Sequence, residues 1–303
     1  MSREIQGCGT ALVTPFQHNG DLDEPALRRL VRFQLQEGID FLVPCGTTGE
    51  SPSLEREEQL RVIEVVIEET AGRVPVVAGV GGNNTRKVCD LARDVRRLGA
   101  DAILSVAPYY NKPTQEGLYQ HFRAIAEAAE LPVILYNVPG RTASNIEPST
   151  VARLAQIPNI VGIKEASGNL AQQMELLRTA SPEFRVLSGD DAQTFALMSL
   201  GGVGLISVAS NEAPGGMSRL TRLLLNGEYS EARRLHFELL PLMNVNFIET
   251  SPIPVKAALA MMGLIEEAYR LPLVPLRAEN RARVGEVLGA LGLLERSAAA
   301  VGR

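Results

Sequence analysis

Only four of the 30 basic residues are lysines, Lys87, Lys112, Lys164 and Lys256; the rest are arginines. A guanidinium stays protonated and cannot serve as an amine nucleophile, so any amine chemistry in this chain belongs to one of those four. Lys164 stands out because it ends a short β-branched run, residues 160–164, bounded by Pro158-Asn159 before it and Gly168-Asn169 after it. Such a run reads as a buried parallel strand with the lysine at its carboxyl end. Burial disfavours an ammonium and frees the neutral amine that attacks a carbonyl carbon, which makes Schiff-base formation the chemistry to expect. Two plainer roles compete with it: a lysine that snorkels from a strand end, or one that pairs with Glu165.

The elements that would position Lys164 alternate regularly. Apolar strands are predicted at 10–14, 41–44, 74–79, 102–106, 133–137, 160–164, 185–189 and 204–208. Helical periodicity lies between and after them, at 25–37, 54–70, 85–98, 114–129, 148–155, 170–179, 194–200 and 217–225. Eight βα units whose strands are apolar on both faces close most economically into a (β/α)8 TIM barrel. An open doubly wound sheet is the alternative. It would more often carry a glycine-rich phosphate loop after its first strand, whereas Gly79-Val80-Gly81-Gly82-Asn83-Asn84 follows the third and has asparagine where that fingerprint needs glycine; it reads as a turn. Beyond residue 226 only helical patterns remain, at 230–245, 253–262 and 279–291. The expected organisation is a catalytic barrel over 1–225 and a C-terminal helical domain over 226–303, packed on the barrel.

In such a barrel the residues just past each strand converge on one site. Here they are Gly46-Thr47-Thr48-Gly49-Glu50, Pro108-Tyr109-Tyr110-Asn111, Tyr136 through Arg141-Thr142, Lys164, Ser188-Gly189-Asp190-Asp191 and Ile206-Ser207. Each has a bland reading when taken alone: a turn and helix cap for the Gly-Thr-Thr-Gly run, interface packing for the tyrosines, a surface pair for Arg141, a loop cap for Asp190-Asp191. Their coincidence at strand ends favours a site in which phenols and hydroxyls move protons and an arginine forks a carboxylate. His18, His121 and His236 are too scattered to be metal ligands, and no cofactor is expected.

Composition narrows the class. A net charge of −5 without a Lys/Arg block argues against nucleic acid as a partner. No apolar run is long enough to span a membrane, and Cys8, Cys45 and Cys89 are scattered and odd in number, so a cytoplasmic protein is expected.

Taken together, these motifs resemble the dihydrodipicolinate synthases, within the N-acetylneuraminate lyase superfamily of class I aldolases. The resemblance runs from Thr14-Pro15 to Leu291 and includes Pro108-Tyr109-Tyr110-Asn111-Lys112-Pro113, Gly117-Leu118-Tyr119-Gln120-His121-Phe122 and Gly162-Ile163-Lys164-Glu165-Ala166. It implies that Lys164 forms an imine with pyruvate and that the enamine attacks L-aspartate-4-semialdehyde, in lysine and diaminopimelate biosynthesis. It further implies proton relay by Tyr136, Thr47 and Tyr110, with Tyr110 supplied by a neighbouring subunit of a homotetramer. Thr48 would bind the pyruvate carboxylate and Arg141 that of the semialdehyde, with Gly189 and Ile206 as pocket walls. Arg141, in Val138-Pro139-Gly140-Arg141-Thr142, favours the synthase over sugar-acid lyases. Two alternatives stay open: another pyruvate-dependent aldolase, acting on 4-hydroxy-2-oxoglutarate or a 2-keto-3-deoxy sugar acid, and a catalytically silent barrel used for binding.

One departure concerns feedback by L-lysine, which the family binds with residues matching Ser51, Pro52, Arg56, Gln59, Asn83, Lys87 and Tyr109. A histidine is expected at Gln59, and at Lys87 an acid that would meet the ligand's ammonium. A cation at Lys87 reverses that sign, so weak or absent inhibition is expected unless Glu50 or Glu55 substitutes for the missing acid.

Overall fold

Strand β1 (Gly7–Ala11) starts three residues before the apolar run predicts it, because its glycines are steric necessities rather than breakers. A Cβ on Gly9 would lie 2.0 Å from the ring of Phe41, and one on Gly7 would lie 2.3 Å from the Asp40 carboxylate. Gly9 pairs with Phe41 of β2 (Phe41–Val43), so the missing side chain makes room for the neighbouring aromatic ring.

The computed structural model describes residues 5–294. After β2 come β3 (Val77–Gly79), β4 (Ala102–Val106), β5 (Val133–Asn137), β6 (Ile160–Glu165), β7 (Arg185–Ser188) and β8 (Gly204–Ser207). Their hydrogen-bonded order is β2-β1-β8-β7-β6-β5-β4-β3, all parallel. A parallel bridge from Leu42 to Val76, with the Leu42 N–H donating to the Pro75 carbonyl, brings β2 against β3 and nearly closes the circle. The predicted TIM barrel is therefore observed, and the open sheet is excluded. Strand β3 is shorter than predicted because Val76 makes only that isolated bridge.

The barrel helices are α1 (Glu24–Gln36), α2 (Arg56–Thr70), α3 (Thr85–Leu98), α4 (Gln115–Ala129), a single turn α5 (Pro139–Thr142), α6 (Pro148–Leu154), α7 (Leu170–Thr179), α8 (Thr194–Ser199) and α9 (Pro214–Leu225). The helix starts predicted near residues 25, 85, 114 and 170 hold, and their reason is local: Asp23, Asn84, Thr114 and Asn169 each accept from a backbone N–H in the first turn. Helix α9 begins at Pro214, earlier than periodicity predicts, since proline and the two glycines after it are tolerated in a first turn. Then α10 (Tyr229–Val245), α11 (Ile253–Met261) and α12 (Ala278–Ala290) pack on one another and, through α9, on the barrel. The last nine residues of the expected helical domain lie outside the described residues.

Two apolar clusters result. The larger lies between strands and helices; the smaller fills the barrel interior with Phe41, Val43, Val77, Ile134, Leu187 and Ile206. Along β5, Val133 and Leu135 join the outer cluster while Ile134 and Tyr136 join the inner one, as alternation requires. In the register of β5 with β6, Tyr136 pairs with Lys164 and Asn137 with Glu165. Partners in register share a face, so Tyr136 and Lys164 both point inward, and Asn137 and Glu165 both point outward.

Candidate active site

Lys164 is 5% exposed, and its Nζ lies 4.3 Å from the centre of the Tyr136 ring. That contact holds the amine over an aromatic face inside the barrel. Pairing with Glu165 does not occur. On the other face of β6, Glu165 accepts from the Asn137 side-chain amide (3.0 Å) and the Ser167 N–H (2.7 Å). Gly189 follows β7 and donates its N–H to the Glu165 carbonyl (2.8 Å). A Cβ there would meet Ala166 Cβ at 2.7 Å and Lys164 Cγ and Cε at 3.0 Å, so the bare backbone at 189 makes room for the lysine. Ile206 is buried in the same interior cluster.

Tyr136 connects this interior to a cavity of about 260 Å³ whose walls include Thr47, Tyr109, Val138, Arg141 and Thr142. Lys164, Thr48, Gly189 and Ile206 are not among the cavity's lining residues; Lys164 is linked to it through Tyr136. Thr47 is half-buried and Thr48 buried, in a turn where the Gly49 and Glu50 N–H groups donate to the Gly46 and Thr47 carbonyls. Arg141, on α5, is exposed at the cavity and donates to the Ser251 carbonyl (3.2 Å). A buried amine against a phenol, with a threonine hydroxyl and a guanidinium at the opening, suits attack on the carbonyl of a small anionic molecule.

The sequence missed part of the wall. Gly79, Val80 and Gly81 line the cavity and are not merely a turn. A Cβ on Gly79 would lie 2.0 Å from the Cys45 carbonyl oxygen, so this glycine is the signal of a close approach between the loops after β2 and β3. Cys45 also lines the cavity, with left-handed backbone (φ 55°); burial pushes its thiol far above the ordinary range, leaving it inert.

Tyr110 does not reach this chain's cavity. It is 88% exposed, at φ 74°, while its neighbour Tyr109 forms cavity wall. The loop is pinned behind them: Asn83 donates to the Tyr109 carbonyl (3.2 Å) and Asn111 to the Asn83 carbonyl (2.9 Å).

Of the residues matched to L-lysine binding, Ser51, Pro52, Gln59 and Tyr109 line the cavity. Gln59 is engaged, donating to the Gly79 carbonyl at 3.0 Å, and Arg56 pairs with Asp94. Lys87 is exposed on the first turn of α3. Neither acid suggested as a substitute is free: Glu50 is buried against Lys256, and Glu55 forms a capping box with Glu58 at the start of α2.

The histidines stay apart. His18 is exposed beside Glu266, while His121 and His236 are buried, and burial lowers the His121 pKa to about 4. Among the described residues no three His, Cys, Asp or Glu side chains gather in a way that could hold a metal ion. Asp190 caps the turn after β7, and Asp191, buried, accepts from the Val208 and Ala209 N–H groups (3.0 and 3.1 Å), tying that turn to the end of β8.

The dihydrodipicolinate synthetase family model matches residues 4–291. The chain is 55% identical to the 4-hydroxy-tetrahydrodipicolinate synthase of Koribacter versatilis over 98% of this chain and 99% of that one. Its fold superposes, with a TM-score of 0.94 and 45% identity, on the chloride-inhibited dihydrodipicolinate synthase of Acinetobacter baumannii complexed with pyruvate, covering 96% of this chain and all of the other. A lysine-bound dihydrodipicolinate synthase from Cyanidioschyzon merolae is 41% identical, with a TM-score of 0.93 and coverage of 95% and 99%. With the barrel, the inward lysine and tyrosine and the matching motifs in place along the same chain, this protein belongs to the dihydrodipicolinate synthetase family.

Proposed function

We propose that this protein is a 4-hydroxy-tetrahydrodipicolinate synthase, condensing pyruvate with L-aspartate-4-semialdehyde through a Lys164 imine. The observation that carries the reading is the inward pair of Lys164 and Tyr136, with Nζ 4.3 Å from the ring centre. The Lys164 amine attacks the pyruvate keto carbon, water leaves, and loss of a methyl proton gives an enamine whose carbon adds to the aldehyde. Tyr136, Thr47 and Tyr110 move the protons, Tyr110 entering from a second subunit; its 88% exposure in the single chain leaves it available for that role. Thr48 holds the pyruvate carboxylate, Arg141 that of the semialdehyde, and Gly189 and Ile206 shape the space around the imine. No cofactor enters this scheme.

The assembly we propose is a homotetramer of two tight dimers, in the cytoplasm. Among the described residues, no helix is long and apolar enough to cross a membrane. The test of the substrate is direct comparison of condensation with pyruvate plus aspartate semialdehyde against cleavage of 4-hydroxy-2-oxoglutarate and 2-keto-3-deoxy sugar acids. Faster turnover of any of these acids would replace the assignment.

Feedback by L-lysine is expected to be weak or absent. An ammonium arriving near Lys87 meets a like charge, and Glu50 is unavailable because Lys256 holds it. Millimolar L-lysine at subsaturating pyruvate should leave the initial rate near its uninhibited value. Complete inhibition below a millimolar would contradict the charge argument.

A further inference from the structure

Glu50 closes the Gly46–Glu50 run, and its side chain reaches away from the chemistry. It is 3% exposed, and its Oε1 lies 2.6 Å from Nζ of Lys256, a fully buried lysine of α11, 206 residues later in the chain. The same Nζ is 4.3 Å from the centre of the Phe16 ring and 5.4 Å from that of Tyr269. Three residues on, the loop is held again: Arg270 donates to the Ser53 carbonyl (2.9 Å) and to the Glu58 carboxylate (2.6 and 2.7 Å). The C-terminal segment thus grips both ends of the turn that follows Thr47 and Thr48, while its Ser251 carbonyl accepts from Arg141.

Side-chain packing does not do this alone. A second cavity, of about 270 Å³, lies between the loop and the C-terminal segment, with Thr47, Glu50, Arg141, Ser251 and Arg270 on its walls. The Glu50 backbone is also left-handed, at φ 53°, a conformation unfavourable for a residue with a Cβ and one that needs an anchor. Stability is a poor reason for such a pair, because a well-packed apolar pair usually stabilises a core as much as two desolvated charges do. What a buried ion pair adds is a fixed direction and distance.

We infer that the Glu50–Lys256 ion pair is a positioning device by which the C-terminal helices fix Thr47 and Thr48 for the reaction. It rests on the function proposed above. Thr48 and Thr47 act on pyruvate and on proton transfer, whereas the semialdehyde is gripped by Arg141 from a different loop. Loosening the pair therefore raises the KM for pyruvate and lowers kcat, and leaves the KM for the semialdehyde nearly unchanged.

The test compares the parent with Glu50→Gln and with the double variant Glu50→Gln/Lys256→Met, which leaves no buried charge unpaired. For each protein, thermal unfolding is followed, both KM values and kcat are measured, and active sites are counted by borohydride trapping with pyruvate. The expected result is a folded double variant that still traps pyruvate at Lys164, with kcat/KM for pyruvate lowered about 10- to 100-fold. A double variant with parental constants would overturn the positioning role, as would a loss confined to kcat and proportional to the count of trapped sites, which marks lost folded protein. Failure of the parent itself to trap pyruvate would instead remove the functional reading and this inference with it.

Discussion

Lys164→Arg is expected to abolish the borohydride-trapped pyruvate adduct and to lower condensation by at least about 10³-fold, while the protein remains folded. Arginine keeps the charge and much of the length of lysine, yet it has no amine that can be deprotonated to attack a carbonyl. The Tyr136 ring that lies 4.3 Å from Nζ can accept a guanidinium as well as an ammonium, so local packing is largely preserved. The extra atoms enter a site only 5% exposed, and a cost of about 1–3 kcal/mol in stability is expected. Peptide mass mapping of the parent's adduct locates the nucleophile. Lys87 and Lys112 are exposed, and Lys256, buried like Lys164, is sealed from solvent altogether and salt-bridged to Glu50. An adduct on any of these three, or one that survives in Lys164→Arg, would end the assignment of the Schiff base to Lys164.

Gly189→Ala is expected to cost about 10²-fold in kcat/KM, a large effect for one methyl group. The added Cβ would sit 2.7 Å from Ala166 Cβ and 3.0 Å from two carbons of Lys164, closer than carbon atoms pack. The Lys164 carbons can move away, whereas Ala166 Cβ is fixed to its backbone, so both the lysine and the segment at 166 and 189, tied by the Gly189 N–H bond to the Glu165 carbonyl, must shift. With the role proposed for Lys164, moving its amine is expected to slow imine formation before it unfolds the barrel. The rate of adduct formation under borohydride should therefore fall in parallel with kcat/KM, with a loss of about 1–3 kcal/mol in stability from overpacking. Parental trapping rates in Gly189→Ala would show that the site tolerates the methyl group and that the glycine is not shaping the space around Lys164.

Much of this protein was legible in its sequence because barrel-building is local. The alternation of strands and helices and the position of Lys164 at a strand end follow from short-range pattern, and the helix starts near residues 25, 85, 114 and 170 coincide with the local caps the structure shows at Asp23, Asn84, Thr114 and Asn169. The residues past each strand end could be collected as one candidate site because a closed parallel barrel brings those ends together; of them Thr47, Tyr109, Tyr136 and Arg141 line the cavity, while Thr48, Gly189 and Ile206 lie off its wall and Tyr110 turns to solvent. Three things required the tertiary structure. The direction of Lys164 depends on the register of β5 with β6, which puts Tyr136 beside it and turns Glu165 outward; local pattern alone left pairing with Glu165 open. Gly9 drew no reading from the sequence, Gly79 read as part of a turn and Gly189 as a pocket wall only through the resemblance, yet each is a site where an atom distant in sequence occupies the volume a Cβ would need. Lys256 was one more residue on an apolar helix until the fold carried it across 206 residues to Glu50, a long-range pairing that no periodicity encodes.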